Sequence, residues 1–359
     1  MSKAINEKLV AWIEEKVKRE YAEDISLVLL YGSFINGTAN PKSDIDCYFI
    51  PRTERGYELA KTFILGGVGY DIFPMDWERA GNIAELEECL IPLVGDVKII
   101  YSFSAEELKR FQRLQAKMKR NLADRQVSQA AARKRAEAAY KLYRDICMPN
   151  PLAEIRKLAG HIIMQLADAV AIYNHDYFHR GLKMQFQDLL KLQKEKDIPI
   201  RICEEYLHTI QAKTAEESIR HSYGMLCTVG EYIGVGFSEE LARDDGESGE
   251  TAGMVKDISL LAGLYEEISS TFNKIYVCCE TNNYILAYLS AVCLQRELDD
   301  AHREYGSERY DILSFYEWDN LQKINLAVKA AEDDLVQFIA DRGGVIKRYG
   351  TFEEFQRSA

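Results

Sequence analysis

The sequence lacks the features that mark secreted, zinc-bound or membrane-spanning proteins. None of its eight cysteines belongs to a Cys-x-x-Cys pair, so a zinc site is not expected and a reducing, cytoplasmic setting is favoured. The first residues have no apolar signal-peptide core, and the longest apolar stretch, residues 284–294, is too short to span a bilayer. We therefore expect a cytoplasmic protein without a membrane partner.

Positive charge is also scarce. The 45 lysines and arginines are outnumbered by 57 aspartates and glutamates, which leaves a formal net charge of −12. Proteins that bind nucleic acids usually present a basic surface, so a nucleic-acid partner is not expected. The acidic balance is compatible with a cationic substrate. With 359 residues, of which 47% are hydrophobic, the chain is long enough for about two or three domains.

Apolar runs of strand length alternate with helical stretches in the first part of the chain, and helical patterns dominate from residue 105 onward. Strands are predicted at 25–31, 45–50, 68–73 and 97–103, and helices between them at 5–20, 57–65 and 83–90. Further helices are predicted at 122–147, 152–174, 186–194, 202–211, 215–230, 254–273, 284–305 and 312–341.

This alternation predicts an α+β protein in which a small mixed β-sheet domain is followed by an all-helical region. We place the sheet domain at residues 1–110, a helical domain at 111–242 and a C-terminal helical region at 251–359. The polar stretch 243–250 is typical of a linker or loop.

The most informative stretch is residues 29–50, LLYGSFINGTANPKSDIDCYFI. Asp44 and Asp46 open an apolar run, and alternate residues of a strand face the same side, so their carboxylates lie roughly 6.5–7 Å apart along the strand. Such a pair repels unless a cation lies between the two groups. Mg²⁺ takes carboxylate oxygens and keeps positions open for substrate phosphates. The stretch therefore predicts a site for a metal ion and a phosphate.

A third carboxylate, Asp71, lies inside the apolar run 68–73. Burying a charge there is costly unless it is paired or bound to a metal, which favours a functional role for Asp71. Asp76 is an alternative third ligand, but we expect Pro74 to end the strand before it. A Gly-Ser turn or an Asp-x-Asp triplet alone is common, and it is the combination that favours a site.

Together these residues resemble the signature of the DNA polymerase beta-like nucleotidyltransferase superfamily. The resemblance rests on Gly32-Ser33, a ten-residue spacer, Ser43-Asp44-Ile45-Asp46 and the later Asp71, and it covers about residues 25–105. The helical remainder is similar in layout to antibiotic nucleotidyltransferases that act on aminoglycosides or lincosamides, in which a helical domain holds the acceptor. The resemblance implies transfer of a nucleoside monophosphate, with AMP expected, from ATP or another nucleoside triphosphate to a hydroxyl of a small acceptor. An aminoglycoside-like antibiotic is the expected acceptor, and antibiotic resistance the expected role.

The resemblance also implies a role for each matching residue. Asp44 and Asp46 would hold two Mg²⁺ ions, and Asp71 would complete the second ion site and accept the hydroxyl proton. The nucleotide would be bound through Gly32 and Ser33, with Ser43 orienting the turn before Asp44. Catalysis and metal binding are thus expected at Asp44, Asp46 and Asp71, and nucleotide binding at Gly32, Ser33 and Ser43.

The sequence departs from the family pattern just after the Gly-Ser turn. Many relatives carry an arginine there, whereas this chain has Phe34-Ile35-Asn36. The charge of the triphosphate would then be neutralised by Lys42, Arg52, Lys98 or a residue of the helical region.

Several alternatives stay open at this point. The acceptor could be a partner protein, as in a toxin–antitoxin pair, or the fold could serve as a nucleotide-binding regulatory module. A homodimer that shares an acceptor cleft would account for the extensive helical surface. The pairs Arg156/His161 and Arg201/His208 loosely resemble a helical ribonuclease motif. His175, Asp176 and His179 lie in a polar and aromatic segment that we expect to end a helix and face the cleft.

Overall fold

The architecture is described from a computed structural model, which covers residues 2–39, 42–237 and 257–359. The polar stretch predicted as a linker, 243–250, lies outside the described residues, as does the predicted start of a helix at residue 254. The division of the helical part between 242 and 251 therefore stays a prediction.

A mixed six-stranded sheet forms the centre of the N-terminal part. Its strands are β1 (Ile25–Tyr31), β2 (Asp46–Pro51), β3 (Lys61–Leu65), β4 (Val68–Pro74), β5 (Lys98–Ser102) and β6 (Arg348–Tyr349). Their order across the sheet is β5-β1-β2-β4-β3-β6, in which the β2–β4 and β3–β6 pairs are parallel and the others antiparallel. The predicted mixed sheet is confirmed.

Helices cover both faces of this sheet. They are α1 (Ser2–Glu20), α2 (Ser33–Asn36), α3 (Trp77–Ala84), α4 (Pro92–Gly95) and α5 (Ala105–Ala123). Side chains of β1 alternate between the two faces: Val28 packs in the same cluster as Leu9 of α1, whereas Leu29 packs with Phe111 of α5. Because both faces are buried, the strands are continuous apolar runs, which is why they could be predicted.

The rest of the chain is mainly helical. The helices are α6 (Arg125–Ile146), α7 (Leu152–Tyr173), α8 (Gln185–Lys196), α9 (Ile200–Gln211), α10 (Ala215–Ile233), α11 (Ile258–Thr281), α12 (Tyr284–Tyr305), α13 (Gln322–Asp341) and α14 (Phe352–Ser358). Fourteen residues of α7 are buried, which makes it the central helix of the largest hydrophobic cluster. In the described ranges, no helix combines the length and the apolar character needed to cross a membrane.

Three sequence predictions in this description were wrong. The stretch 57–65, predicted to be helical, contains a 3₁₀ turn followed by β3, because Gly66 and Gly67 adopt positive φ and join β3 to β4 as a hairpin. The helix predicted at 83–90 ends at Ala84, before Leu86 takes a positive φ of 62°. The helix predicted at 312–341 is a 3₁₀ turn, Ile312–Phe315, followed separately by α13.

The C-terminal residues return to the N-terminal sheet, which sequence analysis did not predict. β6 pairs in parallel with β3, so a strand does occur after residue 105. In α14, Phe355 is fully buried, with its ring centroid 4.3 Å from that of Phe63 and 4.8 Å from that of Trp12. The sheet domain is therefore completed by residues from the far end of the chain.

Candidate active site

Parallel pairing of two strands places Asp46 beside Asp71. Cys47 of β2 is in register with Ile72 of β4, and the residues immediately before them are the two aspartates. Neighbouring strands lie about 4.8 Å apart, so these two carboxylates start from adjacent positions on the same side of the sheet. β2 begins at Asp46, one residue after the start predicted at 45, so Asp44 lies just ahead of the strand.

The backbone at Gly32 lies in close contact with the carboxylate of Asp46. It has a positive φ of 70°, and a Cβ at this position would lie 1.9 Å from Asp46 Oδ2. Glycine is therefore required here both by its backbone angle and by the close approach of the acid. The next residue, Ser33, donates its backbone N–H to the same carboxylate.

Hydrogen bonds from a side chain of α1 fix the turn that precedes Asp44. The buried side chain of Asn6 donates through Nδ2 to the carbonyl oxygens of Ser43, at 3.1 Å, and Asp44, at 3.3 Å. The hydroxyl of Tyr70 in turn donates to Asn6 Oδ1 at 2.7 Å. Ser43 therefore takes part in positioning Asp44 through its backbone.

The three aspartates share a strongly unfavourable environment for negative charge. Burial raises the pKa of Asp44, and burial together with the charge of Asp44 raises the pKa of Asp46. Burial, then the neighbouring Glu267, then Asp44 and Asp46 raise the pKa of Asp71 to about 7. The same three acids, after burial, raise the pKa of Tyr31. The three carboxylates therefore lie close enough together for their charges to affect the same neighbouring groups.

A cavity of about 510 Å³ opens at this point, between the sheet domain and the helical region. Five of the six predicted site residues line it, namely Gly32, Ser33, Ser43, Asp44 and Asp46. Asp71, which is adjacent to Asp46 across the β2–β4 pair, is not among the described residues that line the cavity. Residues of α11 and α12 and the segment 179–183 form the opposite wall.

Two lysines near the aspartates, Lys183 and Lys274, were not named from the sequence. Lys274 of α11 lowers the pKa of both Asp44 and Asp46 by its charge, opposing the effect of burial. Burial and the charge of Lys274 lower the pKa of Lys183, whose Nζ donates to the carbonyl oxygen of Thr38. The two lysines therefore lie close together beside the acids.

A faint signal for Lys274 was present in the sequence. The α11 residues that line the cavity recur every three or four positions: Ser270, Asn273, Lys274, Val277, Cys278 and Thr281. This is one face of a helix, and it is more polar than the apolar face that packs into the core. The stripe could have been recognised, but only the tertiary structure shows that it faces Asp44 and Asp46.

Three basic residues were proposed from the sequence to face the triphosphate, and of these only Lys42 is a described lining residue of the cavity. Its Nζ lies 3.8 Å from Glu280. Arg52 stacks its guanidinium on the ring of Phe103, 3.5 Å from the centroid. Lys98 begins β5 and is not a described lining residue either.

Asp76, the rival third ligand, serves instead as the N-cap of α3, where its carboxylate accepts the backbone N–H of Arg79 at 2.7 Å. β4 ends at Pro74, as expected from the sequence.

The polar segment 173–181 ends α7 and faces the cavity only through its later residues. His179 lies between Asp96 at 2.9 Å and Asp176 at 3.2 Å, and hydrogen bonds to these two carboxylates raise its pKa to about 10. His175 has a positive φ of 63° and its Nδ1 lies 2.7 Å from the carbonyl oxygen of Leu122. The three residues are therefore not gathered around a common point as metal ligands would be.

The arrangement around Arg156 does not favour the ribonuclease hypothesis. Arg156 is 4% exposed, and its guanidinium donates to backbone carbonyl oxygens, including that of Leu313 at 2.8 Å. Burial lowers the pKa of His161 to about 4, so this ring is neutral at neutral pH. The pair is built into the helical core.

The donor set of the candidate site fits Mg²⁺. Asp44, Asp46 and Asp71 offer carboxylate oxygens, the hard ligands that this ion prefers. Burial raises the pKa of all three, and neighbouring acids raise the pKa of Asp46 and Asp71 further, so a cation here would stabilise the ionised carboxylates. The described carboxylate oxygens do not all lie within 4.8 Å of one another, which agrees with mutual repulsion.

The three carboxylates are gathered beside a cavity at one end of the β2–β4 pair, within the N-terminal part of the chain. Residues 10–120 match a family model described as a nucleotidyltransferase domain. This part of the chain is therefore a nucleotidyltransferase domain of the DNA polymerase beta-like superfamily, as the sequence resemblance suggested, and it supports nucleotidyl transfer. No curated protein matches the sequence.

Proposed function

We propose that this protein uses Mg²⁺ to transfer a nucleoside monophosphate, AMP in the first instance, from a nucleoside triphosphate to a hydroxyl of a small acceptor. One observation carries the proposal: Asp44 and Asp46 lie in a cavity whose opposite wall is formed by the helical region and carries Lys274. Such a cavity offers the donor site on one wall and room for an acceptor on the other.

The donor would be bound by backbone and by cations. Gly32 lets the backbone approach the phosphates closely, and the backbone N–H groups and the hydroxyl of the Gly32-Ser33 turn would bind the β and γ oxygens. Lys274 and Lys183 take the place of the arginine that follows the Gly-Ser turn in many relatives, since both line the cavity. Ser43 would contribute by holding Asp44 in position.

The reaction proceeds as an in-line displacement at the α-phosphorus. Mg²⁺ ions held by Asp44, Asp46 and Asp71 would polarise the phosphoryl oxygens and favour deprotonation of the acceptor hydroxyl. The acceptor oxygen forms a bond to the α-phosphorus while the bond to the bridging oxygen breaks, and pyrophosphate leaves. Asp71 would accept the hydroxyl proton.

The size of the cavity supports a small acceptor. Its volume of about 510 Å³ is in the range typical of small-molecule sites, about 300–1,000 Å³. A protein side chain would need an open groove for the backbone that carries it. Nucleotidylation of a partner protein is therefore the less favoured alternative.

The charge of the lining bears on the acceptor class. Apart from Asp44 and Asp46, the charged side chains among the described lining residues are basic: Lys42, Arg180, Lys183 and Lys274, with His179 beside them. Asp96 and Asp176, the two acids that contact His179, are not described lining residues. Lys183 and Lys274 are assigned to the triphosphate, and Lys42 and Arg180 form ion pairs with Glu280 and Asp188. A cationic aminoglycoside is therefore tested beside neutral and anionic acceptors.

The test is a transfer assay with the purified protein, Mg²⁺, each of the four α-labelled nucleoside triphosphates, and panels of neutral, anionic and aminoglycoside acceptors. We expect labelled product and pyrophosphate, most strongly with ATP. The double variant Asp44→Ala/Asp46→Ala should lose at least about a thousandfold in rate, because both metal ligands are removed.

The matched control for this variant is Asp333→Asn, an exposed aspartate of α13 that forms an ion pair with Lys329 at 3.7 Å. It should react at the wild-type rate. Equal rates in the wild type and the double variant would contradict the mechanism. Binding of Mg²⁺·ATP without turnover on any acceptor would instead support a regulatory nucleotide-binding module.

A further inference from the structure

A second cluster of potential ligands lies outside the candidate active site, in the hairpin formed by α9 and α10. Glu205 and His208 are three residues apart on α9, and His221 faces them from α10. One ligand atom of each residue lies within 4.8 Å of the others. Among the described residues, this is the one group of three or more His, Cys, Asp or Glu side chains that meets this distance. None of the three belongs to the described lining of the cavity, so this cluster is separate from the transfer site.

Direct contacts already link the three side chains. His221 Nδ1 lies 2.7 Å from Glu205 Oε2, and the rings of His208 and His221 have centroids 5.0 Å apart. The Glu205 side chain is 12% exposed and that of His221 is 21% exposed, whereas His208 is exposed. The cluster therefore has a buried side and a side that an ion could enter.

The neighbouring helix leaves room for the carboxylate. Gly224 lies one turn after His221 on α10, and a Cβ there would come within 2.6 Å of Glu205 Oε1. A side chain at position 224 would therefore displace the carboxylate from His221. Both oxygens of Glu205 are thus accommodated at the place where the two helices meet.

We infer that Glu205, His208 and His221 form a binding site for a divalent transition-metal ion, with Zn²⁺ as its reference ligand. Two imidazoles and one carboxylate are donors that zinc accepts, and three protein ligands leave a further position for water. The absence of Cys-x-x-Cys pairs speaks only against zinc bound by cysteines. Because its ligands come from two helices, the ion would fasten α9 to α10.

Arg220 opposes metal binding through its hydrogen bond to His221. Its guanidinium lies 3.2 Å from His221 Nε2, and because a guanidinium can only donate, Nε2 accepts. In the neutral ring Nδ1 then carries the proton and donates it to Glu205. Binding a metal through Nδ1 moves that proton to Nε2, where it opposes the N–H of Arg220. The exposed guanidinium must then turn away.

The experiment is titration of the full-length protein with Zn²⁺, followed by calorimetry and by the shift in Tm, with Mg²⁺ as the comparison ion. It is run in the wild type and in the Asp44→Ala/Asp46→Ala background, so that the aspartates of the candidate active site do not contribute. In the Asp44→Ala/Asp46→Ala background we expect one equivalent of Zn²⁺ to bind and raise Tm, with no such effect from Mg²⁺. In the wild type the same equivalent should bind in addition to any metal held by the aspartates.

The decisive variants separate a metal site from a hydrogen-bonded pair. His208→Ala leaves the His221–Glu205 contact in place, so it should fold normally and yet lose at least about a hundredfold in Zn²⁺ affinity. Glu205→Gln should lose affinity similarly, while Glu204→Gln, its exposed neighbour on α9, should not. Arg220→Ala should bind Zn²⁺ more tightly than the wild type.

With Co²⁺ as a probe, visible absorption bands should appear in the wild type and disappear in His208→Ala. If Zn²⁺ binding is the same in the wild type and His208→Ala, or is lost only in the Asp44→Ala/Asp46→Ala background, the assignment is wrong. Because the site lies outside the cavity, neither result depends on whether nucleotidyl transfer is observed.

Discussion

At the scale of single residues, the candidate site depends on a close fit between a glycine and a buried acid. Gly32 combines a positive φ with an approach to Asp46 that excludes any side chain. The neighbouring Gly37 also has a positive φ, of 78°, but a Cβ there would meet nothing within 4 Å. The two positions therefore allow backbone strain to be separated from steric displacement of the carboxylate.

We predict that Gly32→Ala lowers the rate of nucleotidyl transfer by about a hundredfold or more, since it displaces the carboxylate that we propose as a metal ligand and blocks the approach of the phosphates. Gly37→Ala should lower Tm comparably but keep most of the activity. The measurements are the initial rate at saturating nucleotide and the thermal midpoint. Similar losses of rate in both variants would mean that strain alone is responsible.

The residue scale also covers the lysine that faces the acids. We predict that Lys274→Met raises the Kd for a nonhydrolysable Mg²⁺·nucleoside triphosphate about tenfold or more, because an ionic hydrogen bond contributes about 1.5–3 kcal/mol. Removing the cation should also raise the pKa of Asp44 and Asp46, since its charge lowers both.

Lys191→Met on α8 is the matched control, because Lys191 is 71% exposed and lies 3.8 Å from Glu195 in an exposed ion pair. It should bind nucleotide as the wild type does. An unchanged Kd for Lys274→Met would remove this lysine from the donor site.

At the scale of secondary-structure elements, the return of the C-terminus to the sheet is the main finding. β3 lies between β4 and β6, so without the C-terminal residues it would be an exposed edge strand. Phe355 of α14 fills a space between rings from α1 and β3. The nucleotidyltransferase domain therefore depends on residues more than two hundred positions away for its packing.

We predict that Phe355→Ala lowers the free energy of unfolding by about 3–5 kcal/mol, the usual cost of removing a buried aromatic ring. Phe315→Ala is the control, because that ring is 50% exposed. Urea unfolding followed by circular dichroism measures both. A loss below about 1 kcal/mol for Phe355→Ala would mean that α14 contributes little to the stability of the sheet domain.

At the scale of the whole molecule, an acid of α7 joins the two parts of the chain. Asp168 of α7 is contacted by Cys89 from the sheet domain and by Gln185 of α8, whose Nε2 lies 3.5 Å from Oδ1. Burial raises the pKa of Asp168 from 3.8 to about 7, although Arg135 opposes the rise. The group is therefore largely protonated in the folded protein below neutral pH.

The sign of the pH dependence follows from this shift. Between pH 3.8 and about 7 the folded state keeps a proton that the unfolded state has released, so stability falls as the pH rises through this window and levels off above it. The total is up to about 4 kcal/mol at 1.36 kcal/mol per pKa unit. We predict that Tm of the wild type falls more between pH 5 and 8 than that of Asp168→Asn, whose amide does not titrate.

The control is again Asp333→Asn, which should follow the wild-type profile because Asp333 is exposed. The buried aspartates of the candidate active site titrate in the same direction in all three proteins, so the difference between profiles isolates Asp168. Parallel profiles for Asp168→Asn and the wild type would mean that this carboxyl keeps an ordinary pKa.

The sequence by itself determined the type of the N-terminal domain, and it supplied the residues proposed here for the donor half of the site. The sheet is buried on both faces, so β1, β2 and β4 are apolar runs that stand out, and acids such as Asp46 and Asp71 are conspicuous where they interrupt or open such runs. The local motif around Gly32 and Ser33 could be recognised because its residues are close together in sequence. It led to the nucleotidyltransferase family before any contact was known.

Only the tertiary structure decided what faces that site. Lys274 reaches the aspartates from a helix more than two hundred residues away, and β6 joins β3 across a similar separation. Such pairings depend on how whole helices pack, and a helical stripe has the same period whichever surface it meets. The same holds for Glu205, His208 and His221, whose proximity depends on how α9 packs against α10.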